Sequence, residues 1–265
     1  MKLKKDIVSF SFRKHLECIR QEQERQAARH LILYTDGQLV QRHENSQSQF
    51  GRACITAGYL SPQQVEHATR RYHLGMSRDG GVIFWQIDML GQVYDGKVMY
   101  YRSDCHRDHH HNPTWVGSLL KNFYLKGNKE LIASIPSYHC LFGTHLLRDE
   151  GRGMKEEGRT PTIAVVEAEK TAVIMSEVFP QYLWMATGGL SNLNEYALFP
   201  LRHHRVILFP DTDPSGKTYD AWYAVAQRAS RLMGCTLTVS ALLEQKATRE
   251  QKQRKIDLVD YYFEP

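Results

Sequence analysis

The sequence predicts an α/β chain: a mixed α+β N-terminal lobe carrying a β-hairpin, followed by a small parallel-sheet domain. Three observations predict it. Val82–Asp88 (VIFWQID) and Val93–Tyr101 (VYDGKVMYY) are aromatic and β-branched runs separated only by Met89–Gln92, the pattern of an antiparallel hairpin. Beyond residue 161, apolar strand-like runs alternate with helical segments, which implies parallel strands joined by right-handed crossovers. Between the two lies Asp149–Pro161 (DEGRGMKEEGRTP), charged and glycine-rich with only Met154 to bury, the composition of a boundary.

The elements follow in order. Residues 7–33 read as a polar helix whose run Gln21–Arg29 is a solvated, charged face. Residues 35–52 are polar and turn-rich (Asp36-Gly37, Asn45, Gly51). Residues 53–75 read as helical again, broken at Leu60-Ser61-Pro62, where Ser61 suits an N-cap and Pro62 the first helical position. After the hairpin, 103–113 is a polar loop and 115–147 mixes short helices with irregular chain. The second half reads as strand 163–166, helix 168–178, strand 182–186, a short helix near 192–197, strand 206–209, helix 217–233 and strand 236–240. The expected units are a helical N-terminal region (1–70), a basic lobe with the hairpin (71–150) and the parallel-sheet domain (161–265).

A chain of 265 residues, 42% hydrophobic and 24% charged, can build its core without disulfides. The 34 Lys and Arg against 29 Asp and Glu leave +5, which permits a phosphate-rich partner without demonstrating one. Cys18, Cys54, Cys105, Cys140 and Cys235 are odd in number and lack a C-x-x-C pairing, so reduced thiols are expected. No apolar core follows the basic Met1–Asp6, and no uncharged apolar stretch of about 18 residues occurs, so a cytoplasmic protein without a membrane span is expected.

Ligands of an open parallel sheet bind beyond the carboxyl ends of its strands. Glu167 stands immediately after the run 163–166, and Asp211 and Asp213 just past the run 206–209. If those strands are neighbours, the three carboxylates converge. Carboxylates about 4 Å apart repel by roughly 1 to 4 kcal/mol, a conflict that a divalent cation removes. Taken singly, D-T-D-P-S-G reads as a turn capping the next helix, and Glu167 as a helix-start glutamate near the positive dipole end. Their joint occurrence favours a metal site.

These residues carry a resemblance. VVEAEK, ATGG and ILFPDTDPSG, within residues 163–240, are similar to the Toprim domain of bacterial-type primases, topoisomerases and some nucleases, with Ala168 where that family usually has glycine. The resemblance implies Glu167 as acid/base and metal ligand, Asp211 and Asp213 as ligands of Mg²⁺ or Mn²⁺, and Lys170, Gly188 and Gly189 at the substrate. Upstream, YHLG, IFWQID, GQVYDGKVMYY and HCLFGTHLL resemble the basic lobe that precedes Toprim in bacterial primases, implying that Lys97, with Arg102, faces nucleotide phosphates. Read alone, a lysine beside Gly96 on a hairpin is a solvent-exposed charge. KIDLVDY (255–261) resembles an acidic tail motif, with Asp257 and Asp260 three apart and on one face if helical. Over roughly residues 70–265 the chain is similar to primase-like Toprim proteins of bacterial mobile elements. The implied activity is primase-like nucleotidyl transfer on a single-stranded DNA template, in DNA replication. A metal-dependent nuclease and a non-catalytic nucleic-acid-binding accessory protein are the alternatives. Bacterial primases carry a zinc ribbon, and residues 1–70 hold no such Cys/His set. The resemblance therefore implies a helicase or template-binding partner.

Two further features stand apart. Cys105-His106-Arg107-Asp108-His109-His110-His111 has the donor types zinc takes, in no standard spacing. Phe84, Trp85, Tyr100 and Tyr101 either stack on bases or pack the hairpin into a core.

Overall fold

The computed structural model describes residues 37–124, 126–127, 129, 139–148, 161–189 and 192–264. The polar helix expected over 7–33, Cys18 and the boundary segment 149–160 lie outside them.

Three helices come first: α1 (Gly37–His43), α2 (Gln49–Thr56) and α3 (Pro62–Tyr72). The first two fall largely where turns were expected. Ser48 caps α2 by accepting the Gly51 N–H at 3.2 Å, and Phe50, Ala53 and Cys54 bury one face. Apolar positions at helical spacing thus outweigh the polar residues between them. In α3, Ser61 and Gln64 form a reciprocal capping box with Pro62 in the first turn, as the sequence predicts.

The hairpin forms as expected. Strands β1 (Gly75–Met76), β2 (Val82–Ile87), β3 (Val93–Met99) and β4 (Thr114–Trp115) make an antiparallel sheet in that order, and α4 (Val116–Tyr124) follows. At the tip, Asp88 Oδ1 accepts the Leu90 and Gln92 N–H groups. All six residues of β2 are buried. Alternate side chains enter two cores: Val82 and Phe84 on one face, and Ile83, Trp85 and Ile87 with Val93, Val98 and Val116 on the other. Phe84, Trp85 and Tyr101 are therefore packing residues; only Tyr100 is partly exposed, stacked on His111. Gly96 is required by that packing, because a Cβ there would lie 2.6 Å from the Trp85 ring.

The second sheet is parallel throughout, in the order β6 (Tyr182–Ala186), β5 (Thr162–Val166), β7 (Val206–Phe209), β8 (Leu237–Val239). It is interleaved with α5 (Glu169–Val178), α6 (Glu195–Leu198) with a 3₁₀ turn Phe199–Leu201, and α7 (Lys217–Met233). The short helices α8 (Leu242–Lys246), α9 (Arg249–Arg254) and α10 (Leu258–Phe263) complete the chain. At five or six residues each, these three are too short to show a periodicity in the sequence; capping boxes at Thr248/Gln251 and Asp257/Asp260 start two of them.

The two sheets share one core. Phe50, Tyr72 and Phe84 belong to the same buried cluster as Ile163, Leu183 and Val206. Phe142 bridges Ala186 at the edge of β6, and the Tyr72 hydroxyl donates to the Trp184 carbonyl at 3.0 Å. Phe84 of the hairpin packs edge-on against Phe142, and Lys97 reaches the Gly188 carbonyl just beyond β6. No helix among the described residues is long and apolar enough to cross a membrane.

Candidate active site

The site begins with β5 and β7 lying side by side, hydrogen-bonded in register from Ile163↔Val206 to Val166↔Phe209. Ile163–Val166 of β5 are apolar and buried and β7 is apolar with Val206 and Leu208 buried, so the first polar residues beyond them emerge at one edge. Glu167 is the residue after β5. Asp211 stands two residues after β7, and the Thr212 N–H is tied to the Ile256 carbonyl at 3.0 Å. That bond brings the C-terminal segment alongside, and with it Asp257.

Asp211 stands in surroundings that oppose its charge. Burial pushes its carboxyl well above the ordinary range, and the charges of Asp257 and Glu167 push it further, against a smaller opposing pull from Lys170. The metal-free cluster therefore disfavours its own full ionisation.

Asp213 behaves differently. Its Oδ1 accepts the Ser215 N–H at 2.8 Å and the Ser215 hydroxyl at 2.6 Å, and its Oδ2 accepts the Thr218 N–H at 2.6 Å. Desolvation works against its charge, but these bonds outweigh it and hold the carboxyl below the usual range. The Asp213 side chain thus ties down the start of α7, the structural half of the sequence reading. The two carboxylates of D-T-D have different surroundings: Asp211 feels Asp257 and Glu167, while Asp213 turns to backbone and hydroxyl donors of its own turn.

Lys170, expected at the substrate, is buried on the first turn of α5, with Nζ 3.4 Å from Asp257 Oδ2 and 3.5 Å from Asp260 Oδ1. Desolvation disfavours its ammonium, but Asp257 and Asp260 more than compensate and raise its pKa. Asp257 is itself the N-cap of α10, accepting from Val259 and Asp260 N–H groups and from the Thr171 hydroxyl at 2.6 Å. Burial opposes its charge, yet Lys170 and the Thr171 bond keep its carboxyl low; Asp260 is pushed up by burial and by Asp257. Asp257 is the cap and Asp260 the third helical residue, and the side chains of both meet Lys170 Nζ.

Lys97 reaches the site from β3. Its Nζ lies 3.1 and 3.0 Å from the two oxygens of Glu169 and 2.8 Å from the Gly188 carbonyl, three acceptors for three protons. The pair is buried, with side chains 12% and 3% exposed. Glu169 is the functional-site residue that sequence reasoning missed. Its only signal was a second carboxylate two residues after Glu167, and its partner lies 72 positions away. Gly188 has φ +74°, and a Cβ there would stand 2.7 Å from Glu169 Oε1, so glycine is needed both for the turn and for the approach. Gly189 also has positive φ, +155°. Arg102 is exposed on the loop after β3 and pairs with Asp104 at 2.8 Å.

A family model described as a domain of unknown function (DUF6371) matches residues 22–212. No curated protein matches the chain. Among solved structures, the chain is similar to the DnaG primase catalytic domain bound to ssDNA, at 13% identity and a TM-score of 0.50, over 86% of this chain and 80% of that one. It is also similar to the DnaG catalytic core, at 14% identity and a TM-score of 0.49, over 86% and 81%. For the primase fragment of the bacteriophage T7 primase-helicase protein the values are 17% and 0.41, over 71% and 70%. At these identities the likeness is one of fold: a mixed α/β, primase-like arrangement of an antiparallel and a parallel sheet.

Proposed function

We propose that this chain, which belongs to the DUF6371 family, is a primase-like nucleic-acid enzyme whose parallel-sheet half is a Toprim domain. The observation that carries this reading is the pairing of Glu167 and Asp211 at adjacent carboxyl ends of β5 and β7, with Asp257 beside Asp211. The fit to a divalent cation rests on Asp211 itself: burial and two neighbouring carboxylates oppose its ionisation, and a cation would reverse that opposition. Glu167 and Asp211 would hold Mg²⁺ or Mn²⁺, with Asp213 offering what its capping bonds leave.

When bound, the metal would activate a 3′ hydroxyl and neutralise the leaving pyrophosphate. The chain's own residues supply position. Lys170 pairs with Asp257 and Asp260, whose charges press on Asp211, and its own charge pulls the other way, in favour of the Asp211 carboxylate. Lys97 fixes Glu169 and the Gly188 turn, and so sets where the segment after β6 stands relative to Glu167. Glu167 is the candidate to take the hydroxyl proton. The substrates would be single-stranded DNA and nucleotides, since the solved DnaG domain of the same fold is bound to ssDNA.

A nuclease using the same carboxylates, with water as nucleophile, is favoured by one observation. Lys97, the basic group expected to hold a triphosphate, already has three acceptors within the protein. Incubation with single-stranded DNA, labelled nucleotides and Mg²⁺ or Mn²⁺ separates the two. Extension that disappears in Glu167→Gln supports primase chemistry. Cleavage without incorporation under every template and metal tried assigns the nuclease.

A further inference from the structure

We propose a second, separate metal site formed by His106, Asp260 and Glu264, taking a divalent transition metal of the zinc class. One donor atom from each of the three lies within 4.8 Å of the others, and all three residues are half-buried. Two come from one helix and the third from far along the chain: Asp260 from the first turn of α10, Glu264 from its C-terminal end, and His106 from the loop after β3. The His106 Nε2 to Glu264 Oε1 distance is 3.5 Å. Two ligands at about 2.0–2.1 Å on a tetrahedral ion sit roughly 3.4 Å apart, so this pair already has the spacing of shared ligands.

The surroundings orient these groups as ligands are oriented. Glu264 Oε1 accepts the Tyr59 hydroxyl at 2.9 Å, and its Oε2 accepts from Arg254 at 2.6 Å. Asp260 Oδ2 accepts the Asp257 N–H at 3.1 Å, and its Oδ1 lies 3.5 Å from Lys170 Nζ. Hydrogen bonds from such partners fix a carboxylate's direction before an ion arrives. The backbone of Cys105, immediately before His106, has φ +61°, a strained conformation for a non-glycine residue that sets the direction in which the histidine leaves the loop. Imidazole with two carboxylates selects borderline metals over Mg²⁺, which prefers oxygen and retained water. The two sites would therefore hold different ions.

The position gives the site its role. An ion there would staple α10 to the loop that follows the hairpin. It would thereby fix Asp257 and Asp260, which contact Lys170. This does not depend on the nucleotidyl-transfer reading.

Titration of the full chain with Co²⁺ in saturating Mg²⁺, followed by visible absorption, tests it. Wild type and Asp211→Asn should each take up Co²⁺ alike, while His106→Ala and Glu264→Gln should each bind about tenfold more weakly or worse. Zn²⁺ should raise the melting temperature of wild type by about 5 °C and leave His106→Ala unmoved. Circular dichroism of the metal-free variants checks that they fold, and Glu264→Gln serves if His106→Ala does not. Equal Co²⁺ affinity in wild type and both variants would overturn the proposal. So would loss of Co²⁺ binding on replacing the exposed run His109, His110 and His111 instead. Loss of Mg²⁺ binding in Asp211→Asn bears only on the strand-end carboxylates.

Discussion

At the residue scale, the strand-end carboxylates and the buried Lys97–Glu169 pair make opposite demands on stability. The folded-state pKa of Asp211 is raised, so between about pH 4, the unfolded value, and that raised value the folded state binds more protons than the unfolded. Stability of the metal-free protein should therefore fall as pH rises through this window and then level off. Asp211→Asn should remove that decline, raise the melting temperature in chelator near neutral pH, and abolish tight Mg²⁺ binding. Calorimetry in chelator across the pH range, with titration of Mg²⁺, checks all three; an unchanged pH profile would remove Asp211 from the cluster. For Lys97, substitution by alanine leaves the Glu169 charge buried without its partner, at a cost of about 3 kcal/mol. Glu169→Gln in the same chain should recover part of that loss, as denaturant unfolding of the single and double variants would show.

At the scale of the element, the start of α7 depends on Asp213. Asp213→Ala removes one hydrogen bond to the first turn of α7 and two to Ser215 just before it, and should cost about 1 kcal/mol at neutral pH. Because the Asp213 carboxyl is held below its ordinary value, this contribution is complete above about pH 4 and is lost as pH falls through the depressed value. Wild type and Asp213→Ala should thus converge in stability in acid. Asp213→Asn keeps an acceptor and should retain most of this contribution. Its Mg²⁺ affinity should fall less than that of Asp211→Asn, a comparison made by isothermal titration.

At the scale of the molecule, the hairpin and the parallel sheet share one buried core. The hairpin's residues therefore cannot shift without moving the strand ends. The charge of +5 gives the proposed partner its physical signature. Binding of single-stranded DNA should weaken with salt, by roughly fifty-fold between about 50 and 200 mM if about four phosphates are neutralised. Fluorescence anisotropy at several salt concentrations measures it. A protein that binds no DNA even at low salt would contradict the nucleic-acid reading.

The sequence by itself determined the strands and the long helix. Residues 82–87, 93–99, 162–166, 182–186, 206–209 and 217–233 are regular because apolar spacing, β-branching and Gly or Pro punctuation are local properties that survive without tertiary context. It also placed Glu167 and Asp211 at strand ends, since a polar residue after a buried run must stand at its edge. Helices α1 and α2 were hidden in a polar stretch because their stability comes from one buried face rather than from propensity. Only the tertiary structure decided which charges meet. Lys97 finds Glu169, Lys170 finds Asp257 and Asp260, and His106 finds Glu264, across 72, 87, 90 and 158 positions of chain respectively. Ion pairs are made by distance in space. A sequence records the charges but not the fold that brings them within about 4 Å, where burial strengthens the pairings of Lys97 and Lys170.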